Sequence, residues 1–445
     1  MRKNDKIEIV VDDIGVNGEG IAHYDGYTIF VPYLIVGESA IVHILKVKDN
    51  IAWAKVEEIK ISSNERIKPK CKYYQKCGGC VLEHVNSPYE LKIKSEKIIN
   101  AFKKNAGYEI KDVLVVDSDK LYGYRNKSAF PIREINREKA VCMFRGSSHT
   151  PIQIDRCELA EENINIIINI FNEFLNENDI SCYDEQTNTG LVKFLVIRVI
   201  DNIPLVTIVI NGKDLPYKKN LCELLSKQFK IFGLNLNINT INNNVILTDK
   251  LVYVYGEKEL KGEDFDIKYP VSSLSFLQIN NFIKNQIYKK VLDNINSNDI
   301  VVDAYSGAGL LSAMMAKKAQ KVYGIEIIKD ATKNADMLAK SNNILNLTNI
   351  NGDCAIELPK LIKTVTNGKI KVVLDPPRKG CDKKVIDAII LSKVQEIIYI
   401  SCNPATLARD AKILFDAGYK LYEITGFNMF PQTEHVETLA IFKKG

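Results

Sequence analysis

Hydrophobic and polar residues alternate with period two over Ile7 to Val11, and strand-like runs follow at Thr28 to Val31 and Ser39 to Val47. Turn residues separate them: Val16-Asn17-Gly18-Glu19-Gly20, the hairpin-like Tyr24-Asp25-Gly26-Tyr27, and breaks at Pro32 and Gly37. Short strands packed so densely predict a small five-stranded, OB-like β-barrel over residues 1–62. The period then changes. Ser87-Pro88-Tyr89-Glu90 reads as a capping box opening a helix over 88–106, with Leu91, Ile98, Ile99 and Phe102 on one face and Gly107 closing it.

Between Val113 and Pro270 the signals are mixed. Phe194 to Ile200 and Leu205 to Ile210 read as strands paired across Asp201-Asn202, and the Asn-rich stretch Asn235 to Asn244 as strand ends and turns. Residues 63–270 are therefore expected to form a central α+β domain, with helix 88–106 packing on the domain that follows. From Val271 onward β-rich runs (Ile300 to Ala304, Lys321 to Ile325, Lys371 to Leu374, Glu396 to Ile400) alternate with helical stretches such as Lys329 to Ser341. That alternation predicts an α/β domain over 271–445, a Rossmann-like, doubly wound and mostly parallel sheet.

A chain of 445 residues is long for one core and leads one to expect two or three domains. Hydrophobic content of 46% and charged content of 26% exclude a disordered or fibrous chain. No apolar run approaches the ~20 residues that span a bilayer, and Met1-Arg2-Lys3-Asn4-Asp5 opens no signal-peptide core. A cytoplasmic protein with no membrane partner is expected. In that compartment the ten cysteines are ligands, nucleophiles or core residues sooner than disulfides. A net charge of +5 suits RNA without identifying an RNA binder.

Two segments near the end belong together. Ser401-Cys402-Asn403-Pro404 sets Cys402 where a strand gives way to a helix (Ala405 to Phe415), and His435-Val436-Glu437 precedes the last apolar run, Thr438 to Phe442. A thiol at a helix N-terminus is expected to have a lowered pKa. Thiolate and carboxylate together are what methylation of a pyrimidine C5 requires, because C5 is a weak nucleophile until something adds to C6.

Upstream, Asp303-Ala304-Tyr305-Ser306-Gly307-Ala308-Gly309 ends the first strand of the alternating region, Glu326 the second, and Asp353 follows the third. Glycines for close approach, a carboxylate for ribose hydroxyls and another for an adenine amino group fit S-adenosylmethionine. A nicotinamide-binding sheet is the other reading, although Gly307-x-Gly309 is too short for the three-glycine dinucleotide pattern. Asp375-Pro376-Pro377-Arg378 closes the fourth strand and resembles the Asp/Asn-Pro-Pro element of amino methyltransferases. N-methylation needs no nucleophilic cysteine, so Ser401-Cys402-Asn403-Pro404 argues against it.

Cys71-x5-Cys77-x2-Cys80, with Gly78-Gly79 inside it, reads as a metal-ligand loop. A fourth ligand could come from Cys142, Cys157 or Cys182, and four thiolates suit zinc or an iron–sulfur cluster. The x5 spacing does not match the Cys-x3-Cys-x2-Cys of radical-donor clusters. Tyr122-Gly123-Tyr124-Arg125-Asn126-Lys127, with Lys120, Arg133 and Arg137 nearby, interleaves aromatics and cations as a single-stranded RNA surface does. A solvated charged face is the plainer reading of the same stretch.

With these residues in hand, the C-terminal half resembles the RNA uracil-C5 methyltransferases. Phe276-Leu277-Gln278-Ile279-Asn280, Asp303 to Gly309, Asp375 to Arg378, Ser401 to Pro404 and His435 to Glu437 carry the resemblance, in order and spacing. Gly18 to Pro32 and then Gly37-Glu38 resemble the TRAM module, an RNA-binding OB-like domain. Barrel and cysteine cluster together resemble the 23S ribosomal RNA type, since the bacterial tRNA enzymes usually lack both. Ser306, where the family often has cysteine, and Leu310-Leu311-Ser312 are departures that leave the donor assignment standing.

The resemblance implies a monomer that forms 5-methyluridine in 23S ribosomal RNA. It makes Cys402 the nucleophile and Glu437 the base. Gln278, Glu326, Asp353 and the backbone near Tyr305 would contact S-adenosylmethionine, with Asp303, Gly307, Gly309 and Asp375 lining the same pocket. Asp375 would accept from uracil N3–H, Phe276 would lie against the base, and Tyr124, Arg125 and Lys127 would hold RNA. It selects Cys157 as the fourth ligand beside Cys71, Cys77 and Cys80, and implies a structural [4Fe–4S] cluster. A tRNA uracil-C5 methyltransferase is the alternative in the same class. A non-catalytic iron–sulfur protein that binds RNA or senses redox state is the alternative from another.

Overall fold

The computed structural model describes residues 1–365, 369–392 and 394–445. They fall into two compact units: Met1–Asn86 with Lys120–Gly262 and Pro270–Asn281, and Ser87–Asp119 with Glu263–Tyr269 and Phe282–Gly445. The stretch 63–270, expected as one central domain, is thus shared between the units, and helix Ser87–Ala106 belongs to the second. Among the described residues no helix is long and apolar enough to cross a membrane.

The first unit opens with a six-stranded sheet in the order Lys6–Val10, Ser39–Lys48, Ile51–Ile61, Tyr27–Val31, Gly20–Tyr24, Asp13–Ile14. Five strands were expected; the sixth is the two-residue Asp13–Ile14, paired antiparallel with Gly20–Tyr24. Tyr24 pairs with Tyr27 across Asp25 and Gly26, both at positive φ (48° and 78°), the two-residue turn whose twist matches its strands. Ala22, Ile29, Val31, Val42, Ile44 and Ala52 are sealed inside. Glu38 is also sealed, but as a carboxylate bound by Arg66 (2.5 and 2.7 Å) and the Ile35 amide (3.0 Å).

A seven-stranded sheet completes this unit: Pro151–Gln153, Glu138–Phe144, Lys127–Ile135, Val192–Ile200, Ile203–Ile210, Gly233–Ile238, Leu251–Gly256. The hairpin expected across Asp201-Asn202 is present, with Ile200 opposite Ile203 and both turn residues at positive φ. Helix Glu162–Glu177 lays Ile164, Ile167, Ile168, Phe171 and Phe174 on a sheet face bearing Phe130, Ile132, Leu195 and Ile197. The Asn-rich stretch does more than turn. Asn237 and Asn239 are fully buried, and their amides donate to Thr248 O and Val245 O at 2.7 Å each, tying the chain back to itself.

The second unit is built on an eight-stranded sheet: Leu347–Asn351, Lys321–Glu326, Asp299–Ala304, Lys369–Leu374, Glu396–Ser401, Glu437–Lys444, Tyr419–Phe427, Val115–Val116. The first five run parallel; Glu437–Lys444 is inserted antiparallel between Glu396–Ser401 and Tyr419–Phe427. Strand Asp299–Ala304 is buried along its whole length because both sheet faces are covered. Val302 and Ala304 join one apolar layer and Val301 the other, as period-two alternation requires. The connections diverge from this strand, so the crevice at its C-terminal end is where a ligand would sit.

Helix Ser87–Ala106 ends as expected at Gly107 (φ 63°), but the capping box at its start is not formed. Ser87 Oγ donates to Asp117 (2.6 Å), and Glu90 turns inward to Lys94 (2.6 Å).

Candidate active site

Register brings the catalytic candidates together. Ser401 pairs with Thr438 in the antiparallel ladder, so the next step along each strand sets Cys402 opposite Glu437. Because Glu437–Lys444 runs against its parallel neighbour, its first residue lies at the C-terminal edge where Cys402 leaves Glu396–Ser401. Asn403 caps the following helix, Pro404–Asp416, by accepting from the Ala405 amide (3.1 Å), with Pro404 in the first turn.

The expected lowering of the Cys402 pKa is not found. Burial raises it, and the Glu437 and Asp375 carboxylates raise it further; the Arg378 guanidinium pulls the other way. Cys402 precedes the capping residue, and burial together with its acidic neighbours outweighs what the helix end offers. Burial pushes Glu437 up to about 8, with Asp375 adding to the rise and Arg378 opposing it. Arg378 thus bears on both groups. The quoted motif contained it, but nothing in the sequence alone gave it this place.

The loop bearing Arg378 is pinned from the helix beside it. Buried Asp410 accepts from the Cys381 amide (3.0 Å) and the Tyr399 hydroxyl (2.7 Å), while Asn403 Nδ2 donates to Arg378 O (3.3 Å). Gly380 stands at φ 79°, and a Cβ there would lie 2.7 Å from the Arg409 guanidinium.

The donor-pocket candidates of this unit line the same sheet edge. Asp303 is buried and accepts from Ser312 Oγ (2.5 Å); burial, then Asp375 and Glu326, pushes its carboxyl up to about 7. Burial alone pushes Asp375 up to about 6. Tyr305 takes φ 71°, a left-handed turn unusual for a side chain of its bulk, and its amide donates to Ile325 O (3.1 Å). Glu326 accepts from the Gly307 amide (3.0 Å) and the Ile328 amide (2.8 Å), joining two strand ends. Gly309 lets neighbouring helices approach: a Cβ there would lie 2.6 Å from that of Ala335. Asp353 is exposed and caps helix Cys354–Thr364 through the Ala355 amide (2.9 Å). Burial thus favours the protonated forms of Asp303 and Asp375, and a ligand that brought positive charge to this edge would favour their ionised forms.

Gln278 and Phe276 belong to the first unit. Phe276 is 84% exposed, free to meet a flat ring. Gln278 O accepts from Asn126 Nδ2 (3.1 Å), and Arg125 bridges Asn280.

The expected RNA surface around Tyr124 is corrected by the structure. Tyr124 is buried, and Lys127 donates to Ser273 O (3.3 Å), its pKa lowered by burial to about 8. Arg125 faces the cysteine cavity with a buried Nε that has no hydrogen-bond partner, and Arg133 is buried against Glu185. Tyr122, Arg125 and Lys127 are partly buried, while Lys120 and Arg137 stay exposed.

Cys71, Cys77, Cys80 and Cys157 line one cavity of the first unit with Arg125 and Glu83. Cys142 instead donates to Ala140 O (3.4 Å), and neither it nor Cys182 contributes to the walls. Gly78 is necessary: a Cβ would lie 2.5 Å from Gly146 Cα. Glu83, which sequence reasoning passed over, is buried and accepts from the Lys70 (3.0 Å) and Cys71 (2.8 Å) amides, setting the loop. Burial raises the thiols of Cys71, to about 11, and of Cys77 and Cys80. Among the described residues, however, no group of three or more His, Cys, Asp or Glu is arranged to hold a metal ion. The ligand arrangement expected of a metal centre is therefore not found among the described residues, although the four thiols border one cavity.

Comparison with known proteins adds to this geometry. The family model of tRNA (uracil-5-)-methyltransferases matches residues 88–444, and that of the TRAM domain residues 2–56. An uncharacterized RNA methyltransferase of Caldanaerobacter subterraneus subsp. tengcongensis is 36% identical over 99% of this chain and 98% of its own. One from Clostridium acetobutylicum is 34% identical over 100% and 98%. Among solved structures, the Pyrococcus abyssi tRNA (uracil-54, C5)-methyltransferase in complex with S-adenosyl-L-homocysteine superposes with a TM-score of 0.79. It shares 26% identity over 98% of this chain and 99% of that one.

Proposed function

The chain belongs to the tRNA (uracil-5-)-methyltransferase family and is an S-adenosylmethionine-dependent RNA methyltransferase, and we propose that it forms 5-methyluridine in 23S ribosomal RNA, acting as a cytoplasmic monomer. The observation that carries the chemistry is the register that sets Cys402 across from Glu437, with Asp375 and Arg378 bearing on both.

In this reading Cys402 thiolate adds to C6 of a uridine drawn out of its stack. The C5=C6 electron pair moves onto C5 and the C4 carbonyl. S-adenosylmethionine supplies an electrophilic methyl group to C5 and leaves as the neutral thioether. Glu437 carboxylate then takes the C5 proton, the C5=C6 bond re-forms, and Cys402 departs as thiolate. Asp375 accepts from uracil N3–H, and Arg378 offsets the negative charge that develops nearby. Asp303, Tyr305, Gly307, Gly309, Glu326, Asp353 and Asp375 hold the donor.

Cys71, Cys77, Cys80 and Cys157 would hold a [4Fe–4S] cluster. Four thiolates around one cavity are a donor set such a cluster would use, and zinc would take the same set. Its contribution would be to tie residues 71–80 to 157.

The choice of 23S RNA rests on the joint presence of barrel and cysteine loop. Transfer RNA is the second reading, favoured by the end-to-end similarity to an archaeal tRNA enzyme. Methyl-labelled donor offered with separate 23S and tRNA transcripts, followed by nucleoside analysis, tests both. Label in 5-methyluridine from 23S RNA is expected; label only in tRNA would overturn the substrate, and label in another nucleoside the chemistry.

A further inference from the structure

Helix Ser87–Ala106 buries two charged residues one turn apart, Glu90 and Lys94, both fully inaccessible. Lys94 Nζ donates to Glu90 Oε1 (2.6 Å), to Asn428 Oδ1 (2.6 Å) and to Phe430 O (3.1 Å). Glu90 Oε1 accepts in turn from the Gln432 amide (2.9 Å). Asn428, also fully buried, donates to Asp117 (2.9 Å), and Lys97 donates to Glu434 O (2.9 Å). Apart from the Lys94–Glu90 pair itself, each of these bonds involves the segment between strand Tyr419–Phe427 and Glu437, first residue of the last strand. Gln432 in that segment is held at φ 70°, a conformation that persists only where its surroundings enforce it.

A sealed ion pair is a poor source of net stability, because desolvation consumes most of the attraction. It is an effective means of selecting one backbone path, since any other path leaves a buried charge or carbonyl unpaired. We propose that Lys94 and Glu90 are positioning residues for the reaction, fixing segment 428–436 so that Glu437 enters its strand opposite Cys402. The proposal rests on the reading of Glu437 as the base. Neither residue touches RNA or donor in this account. They act at one step, removal of the C5 proton with expulsion of Cys402, because that step alone needs the carboxylate placed to within a fraction of an ångström.

The test uses the full chain with methyl-labelled donor and whichever transcript, 23S or tRNA, the wild type labels. Lys94→Met removes the three Lys94 bonds; Asn428→Ala removes one of them and the Asn428–Asp117 bond while leaving the Lys94–Glu90 pair intact, so it decides the matter if Lys94→Met does not fold. Glu437→Gln is the reference. Label transfer, the fraction of RNA attached to protein on a denaturing gel, and thermal melting are read together. Folded Lys94→Met should still transfer methyl label while releasing RNA at least ~10-fold more slowly, so that labelled adduct accumulates. Asn428→Ala should do the same more weakly. A stalled Glu437→Gln beside wild-type release in both other variants would overturn the positioning role alone. So would activity in them that falls only with the folded fraction, without adduct. Wild-type release by Glu437→Gln would overturn the base assignment and the proposal with it.

Discussion

Two places in this molecule are made of cysteine, and they differ in what surrounds the sulfur. At Cys402 a single thiol stands among carboxylates with one guanidinium to oppose them. At the cavity of the first unit, Cys71, Cys77, Cys80 and Cys157 stand among one another, with Arg125 and Glu83 in the wall. Burial raises the pKa of Cys402 and of Cys71, Cys77 and Cys80 alike. What would lower it differs: incoming positive charge for Cys402, metal for the cavity thiols. The first arrangement suits a nucleophile released only when its substrates are present, and the second suits permanent ligation.

The sharpest way to break this comparison is Cys402→Ala. If Cys402 is the nucleophile, C5 has no other route to activation, and turnover should fall by more than the ~10⁴-fold that general-base catalysis can supply. RNA binding measured on the same protein should survive. Substantial methylation by the Ala variant would make Cys402 a core residue like Cys354, which is buried in the same unit. Glu437→Gln comes next. Loss of the base should cost about 10²–10⁴-fold in turnover, while one methyl transfer proceeds and leaves labelled RNA on Cys402. A denaturing gel reads this directly, and turnover at the wild-type rate would point to another base.

How legible these places were in the sequence follows from how each is built. The candidate site is gathered by backbone register at one sheet edge, so motifs at successive strand ends (Asp303 to Gly309, Glu326, Asp375, Cys402) point to it. Period-two runs and turn residues point to the barrel and the Asp201-Asn202 hairpin, and strand–helix alternation points to the mostly parallel sheet. Burial was not legible. Tyr124, Arg125 and Lys127 look like an RNA surface by composition, yet Tyr124 is buried and Lys127 bonds inward to Ser273 O. Ser87 to Glu90 reads as a capping box, and Lys94 carries no signal of its own in the sequence. The Cys402 pKa was misjudged because helix-end logic is local, whereas Glu437 arrives from thirty-five residues on.

For the cavity, Cys157→Ser separates ligation from packing. In anaerobically purified protein of brown colour and about four irons per chain, Cys77→Ser and Cys157→Ser should lose iron and solubility together. Cys142→Ser and Cys182→Ser should keep both, because neither thiol lines the cavity. Zinc without iron would remove the cluster. Unchanged metal in Cys157→Ser with loss in Cys142→Ser would move the fourth ligand.

The smallest effect sharpens the electrostatic half of the comparison. In the free protein Asp375, Asp303 and Glu437 titrate near 6, 7 and 8, all above ordinary carboxylates. Between roughly pH 4 and 8 the folded chain therefore holds more protons on them than the unfolded chain does. Stability contributed by the protonated forms is lost as pH rises through 6–8. A cationic donor reverses the preference, since it binds the ionised acids and expels their protons. S-adenosylmethionine should accordingly bind more tightly as pH rises from 6 to 8, with release of about one proton per chain near pH 7. Calorimetry in two buffers of different ionisation enthalpy measures that number. S-adenosylhomocysteine, which lacks the sulfonium charge, should release fewer protons, and Asp375→Asn should lower the count for both. Proton uptake, or equal release for the two ligands, would mean that the acidic edge does not sense the sulfonium. The contrast between a thiol awaiting charge and thiols awaiting metal would then fail on its first side.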